Sequence, residues 1–101
     1  MASDPSYRVS WSRKATDALI KLGRTAREAG RGRDLAEVVR ALDDRLRREP
    51  LGVGEIYRAR GAVEEHLAVL EFLALDFAID KDRKFVLVRD CRALSGHSAS
   101  D

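Results

Sequence analysis

The stretch Leu73-Ala74-Leu75-Asp76-Phe77-Ala78-Ile79-Asp80, followed by Lys81-Asp82-Arg83-Lys84 and then by Phe85-Val86-Leu87-Val88-Arg89-Asp90-Cys91-Arg92, decides the fold. Leu73, Leu75, Phe77 and Ile79 recur at period two with Ala74, Asp76, Ala78 and Asp80 between them, the pattern of a strand that buries one face. Phe85 to Val88 is apolar on both parities, as in an interior strand covered on both sides. The polar residues between the two runs read as a tight turn, so the pair is an antiparallel hairpin. A turn of two or four residues sets Ile79 opposite Lys84, Phe77 opposite Val86 and Leu75 opposite Val88. The other face then carries Phe72, Asp76, Leu87, Arg89 and Cys91, and any chemistry shown by the sheet belongs there.

Working outward, Tyr7, Val9 and Trp11 alternate with Arg8, Ser10 and Ser12, which predicts a short opening strand with an aromatic-rich face. Ser12 suits a helix N-cap. From Arg13 to Ala29, Ala15, Ala18, Leu19, Leu22 and Ala26 fall at helical spacing, and Gly23 inside this run marks a point of close packing. Gly30-Arg31-Gly32-Arg33 matches neither phosphate-binding glycine motif and no strand precedes it, so it reads as a helix C-cap and connector. Asp34 and Glu37 form a capping box for a second helix that runs to about Arg48 on the stripe Leu35, Val38, Val39, Leu42, Leu46. Glu49-Pro50 stops it. Glu55 to Arg60 reads as a strand ending at Gly61 and Gly61 to His66 as polar connector; in His66 to Leu75, Leu67, Leu70 and Ala74 also fit a helix, but the clean alternation from Phe72 to Ile79 favours a strand, or a strand entered through a bend.

The expected architecture is α+β: an N-terminal strand, a two-helix antiparallel hairpin, then a three-strand antiparallel meander, all one sheet with the helices on one face. At 101 residues, with 45% hydrophobic and 36% charged side chains, the chain makes a single core under a heavily charged surface. One domain is expected over residues 1–94, with 95–101 a disordered tail of low apolar content. No apolar run is long enough to span a membrane and Met1 to Pro5 lacks the apolar core of a signal peptide, so a cytoplasmic location is expected. The lone Cys91 has no disulfide partner, and no motif calls for a metal or a cofactor. Arginines cluster at Arg24, Arg27, Arg31 and Arg33, at Arg45, Arg47 and Arg48, and at Arg58 and Arg60, whereas Glu64 to Asp82 is acidic and would repel a phosphate backbone.

The order of elements, with Tyr7-Arg8-Val9-Ser10-Trp11-Ser12 and Ala15 at the start, Leu42, Leu46 and Pro50 in the middle and the Leu75 to Val88 hairpin at the end, resembles the RelE/ParE toxin superfamily of type II toxin–antitoxin systems. The resemblance spans Tyr7 to Leu94. It implies a cognate antitoxin as partner, and as target either ribosome-bound messenger RNA, cut without a metal, or DNA gyrase, inhibited without catalysis. By position in the pattern it implies catalytic or anion-binding roles for Arg58, Arg60, Arg89, Arg92 and His97. Cleavage requires a proton to leave the ribose 2′-hydroxyl, another to reach the leaving oxygen, and cations beside the phosphorus. Arginine stays protonated, which leaves His66, His97 or Tyr57 to move the proton. Asp76 lies diagonal to Arg89 and reads as its surface ion-pair partner, and His66, beside Glu64 and Glu65, reads as a surface residue. This incomplete acid–base set points to the non-catalytic branch, or to the same scaffold used purely as a binding module.

Overall fold

The computed structural model describes residues 6–94. Its elements, in chain order, are β1 (Arg8–Trp11), α1 (Arg13–Glu28), α2 (Gly32–Arg48), a 3-10 turn (Pro50–Gly52), β2 (Glu55–Arg60), β3 (Val63–Leu70), β4 (Leu73–Asp80) and β5 (Phe85–Ala93). The five strands form one sheet in the order β1-β5-β4-β3-β2, with β1 parallel to β5 and the other pairs antiparallel. The α+β class, the opening strand and the helical hairpin against the sheet are as expected. The meander, however, has four strands.

The extra strand is β3. Glu64, Glu65 and His66, expected to be connector, lie inside it, because each polar side chain finds a partner across the sheet or beneath it. Glu71 takes a left-handed φ of 57° in the tight turn that follows, and Phe72 sits in that turn instead of on a strand face. There it packs on the core's edge, with the Arg31 guanidinium 4.8 Å from its ring centroid.

Local chemistry accounts for the helices. The Ser12 hydroxyl accepts from the Ala15 amide at 3.0 Å and donates to the Arg89 carbonyl at 3.1 Å, capping α1 and tying its start to β5. At the other end the Arg31 amide reaches the Ala26 carbonyl and the Gly30 amide the Arg27 carbonyl, with Gly30 at φ 74°. This is a Schellman stop that reverses the chain into α2. Helix α2 begins at Gly32, so Arg31 is its N-cap, and Asp34 lies inside the first turn beside Arg31 at 3.8 Å instead of forming the expected capping box. No neighbour lies within 4 Å of a side chain placed at Gly23, so close packing is not its role.

Ala15, Leu35, Leu42 and Leu46 from the helices meet Leu73, Leu75, Phe77, Ile79, Val86 and Val88 from the sheet in one core. The turn after β4 takes four residues, 81–84. The Asp80 carboxylate accepts from the amides of Asp82 and Arg83, both at 3.1 Å, and Lys84 turns at φ 52°. Ile79 therefore pairs with Val86 and Phe77 with Val88, two residues on from the expected register. Beyond Phe77 the register shifts again: Asp76 pairs with Asp90, which leaves Arg89 as the extra residue of a β-bulge. The bulge turns Cys91 into the core opposite Leu75, where it is 2% exposed, away from the face on which it was expected.

Candidate functional site on the open sheet face

The helices cover one face of the sheet, and the other is open. The bulge that buries Cys91 sends Arg89 the opposite way, over the middle of the open face. Its Nη2 lies 2.7 Å from Glu65 Oε1 on β3, 3.0 Å from Asp76 Oδ1 on β4 and 2.7 Å from the Tyr57 hydroxyl on β2. One nitrogen with two hydrogens thus serves three oxygens. The Tyr57 hydroxyl accepts from Arg89 and donates to Asp76 at 2.9 Å. Tyr57 is itself the extra residue of a second bulge, between Ile56 and Arg58, and that irregularity lets its ring lean inward over β3. Four strands therefore contribute one member each to a single cluster.

The electrostatics follow from this geometry. Hydrogen bonding to Arg89 holds Glu65 below the usual carboxylate range, and Glu65, opposed by burial and reinforced by Asp76, holds Arg89 firmly protonated. Burial, then the hydrogen bond to Asp76, raises the Tyr57 phenol. The hydroxyl is thus a poor proton acceptor at neutral pH. Arg58, at 3.8 Å from Glu65 Oε2, brings the cluster to two cations against two carboxylates.

The expected site residues are only partly brought together. Arg89 is central and paired with Asp76 as expected, and Arg58 borders the cluster. Arg60 ends β2 and Arg92 lies near the end of β5, both exposed. His97 lies outside the described residues. His66 is no surface residue: it is fully buried, stacked on Phe77 with ring centroids 5.2 Å apart, its Nδ1 3.0 Å from the Val53 carbonyl and its Nε2 3.0 Å from Glu64 Oε1. Glu64 in turn meets Lys81 at 2.9 Å, and that contact, then His66, lowers its carboxyl pKa. This second cluster faces the helices and joins the approach to β2, β3 and the β4–β5 turn. It cannot reach a substrate on the open face, so the described part of that face offers no imidazole.

Glu65 is the member that sequence reasoning missed. Its only signal was its place in an acidic run, which does not reveal a partner twenty-four positions away.

No family model matches the sequence, and no curated protein matches it. Among solved structures, a chain of the toxin-antitoxin complex RelBE2 from Mycobacterium tuberculosis superposes with a TM-score of 0.65 at 27% identity, covering 87% of this chain and 98% of that one. The chain has the fold of the RelE toxin superfamily. A chain of the archaeal RelE-RelB complex from Pyrococcus horikoshii OT3 shares the fold at a TM-score of 0.64 and 18% identity, over 91% of this chain and 98% of that one. On this RelE fold two further surfaces stand out. A groove of about 880 Å³ runs between α1 and α2 over Trp11, Leu19, Leu35 and Val39, with Arg27 and Arg40 at its rim. A smaller one of about 540 Å³ lies beside Tyr57, lined by Ile56, Leu67 and Val69. No helix among the described residues is long and apolar enough to cross a membrane.

Proposed function

We propose that this chain of RelE fold is the toxin-side member of a toxin–antitoxin pair and that it inhibits growth by binding its target, without cutting RNA. One observation carries this reading. Arg89, the cation at the centre of the open face, is already occupied by Glu65 and Asp76, so a phosphate would have to displace two of the protein's own carboxylates. DNA gyrase is the target of the non-catalytic branch of the superfamily that the sequence resembles. The structural neighbours are chains of a toxin-antitoxin complex, RelBE2, and of a RelE-RelB complex, and an antitoxin is by analogy the partner here. The helix groove, apolar at its floor and cationic at its rim, fits an amphipathic segment bearing acidic side chains. The protein would act in the cytoplasm, where both targets are found.

The test is expression under a tight promoter. Growth arrest with intact messenger RNA, together with loss of supercoiling in a gyrase assay, supports the reading. Arrest accompanied by transcripts cut on translating ribosomes overturns it.

A second reading, metal-independent cleavage of ribosome-bound messenger RNA, draws on the same cluster. An arginine, a phenol and two carboxylates within hydrogen-bond distance are types that could take the 2′-hydroxyl proton, protonate the leaving 5′-oxygen and balance charge on phosphorus. Arg58, Arg60, Arg92 and His97 would then be the remaining cations. This reading requires Arg89→Ala to abolish cleavage.

A further inference from the structure

Strand β2 is one of the two edges of the sheet, opposite β1. Among the described residues nothing pairs with its outer side, and all six of its residues, Glu55 to Arg60, are exposed. Free edges are normally blunted, because a row of unpaired backbone groups invites another strand. This edge carries Glu55 at one end and Arg60 at the other, and among the described residues neither has an ion-pair partner. The charged and aromatic residues between them do not obstruct it: Arg58 turns towards Glu65, and Tyr57 towards Asp76.

The bulge adds a second constraint. Glu55 pairs with Leu67, Arg58 with Glu65 and Arg60 with Val63, so these three lie on the open face. Ile56, opposite His66, and Ala59, opposite Glu64, lie on the helix side, while Tyr57 joins the open face through the bulge. From Glu55 to Arg60 the faces run open, helix, open, open, helix, open. That order is the same read in either direction. Opposed residues in an antiparallel pair must share a face, so a regular strand can meet its own copy only with some residue opposite itself. With the bulge, β2 can meet its copy with Glu55 opposite the partner's Arg60, Ile56 opposite the partner's Ala59 and Tyr57 opposite the partner's Arg58.

We propose that β2 is a self-recognition edge, through which two copies of this chain join antiparallel into one continuous sheet, closed at both ends by a Glu55–Arg60 ion pair. Two-fold symmetry makes each contact twice, so opposite charges at the two ends of one strand become two attractive pairs. A six-residue strand pair is a small interface, so the dimer is weak, with a dissociation constant on the order of 10–100 μM.

Sedimentation equilibrium of the full chain at low salt, from about 5 to 500 μM, tests this. The expected result is a concentration-dependent dimer, weakened roughly tenfold or more by either Arg60→Glu or Glu55→Arg and restored when the two are combined. Circular dichroism checks that each variant remains folded. As a second measurement, the variant carrying Ile56→Cys and Ala59→Cys should oxidise to a covalent dimer, because these positions oppose each other between copies and are too far apart to bridge within one strand. A wild-type chain that stays monomeric throughout, a dimer indifferent to both charge reversals, or a monomer that pairs β2 only with an antitoxin segment overturns the proposal.

Discussion

Glu65 and Arg89 lie twenty-four positions apart in the chain and 2.7 Å apart in space, and this pair determines what the open sheet face can do. Arg89 reaches it because of the bulge in β5, and Glu65 because β3 exists at all. With Asp76 at 3.0 Å on its other side, the guanidinium is neutralised before any ligand arrives.

Releasing Arg89 should therefore create an anion site. The combination Glu65→Gln with Asp76→Asn keeps the hydrogen-bonding shape and removes both charges. Binding of single-stranded RNA, measured by fluorescence anisotropy, should tighten roughly tenfold and become more salt-dependent. Unchanged affinity would show that the carboxylates do not guard the face.

Phe77 is fully buried between the helices and the sheet and stacks on His66. Phe77→Ala should cost about 3–5 kcal/mol, read as a lower urea midpoint with an unchanged slope.

Gly54, at φ 69°, lies where a Cβ would come within 2.4 Å of the Leu67 carbonyl oxygen and 2.8 Å of Ala68 Cα. These are backbone atoms that cannot swing aside. Gly54→Ala should destabilise by about 2 kcal/mol or more, and amide exchange should show β2 peeling from β3 before the rest of the sheet.

Acid should weaken the fold partly through Glu64. Lys81 and then His66 depress its folded-state pKa below the ordinary 4.5 of the unfolded chain. A depressed carboxyl contributes stability that is present above the unfolded value and lost as pH falls through the folded one. Glu64→Gln should lower stability at pH 7 and flatten the acid limb of a stability–pH profile below the ordinary value. An acid limb as steep as the wild type's would remove Glu64 from the account.

Cys91 is enclosed opposite Leu75, and burial, with Asp90 adding to it, pushes its thiol up to about 11. It should resist a thiol reagent at pH 8 in the folded protein and react at once in denaturant. Rapid labelling of the native chain would contradict the bulge that buries it.

Much of this protein was legible in the sequence because it is local. The period of two from Leu73 to Ile79, the Ser12 cap, the Gly30 stop and the break at Pro50 each depend on neighbours a few positions away, so the elements and their layering can be read along the chain. Tertiary structure alone decided what depends on distant partners. Val63 to Leu70 looked partly like connector because Glu64, Glu65 and His66 are polar. They are strand residues because Lys81, Arg89 and the Val53 carbonyl satisfy them from elsewhere. The carboxylate of Asp80 moved the hairpin register by two, and one inserted residue, Arg89, moved Cys91 from the open face into the core. Periodicity records which side chains alternate, whereas a bulge is chosen by the pairing of two strands, and neither strand's sequence shows it alone.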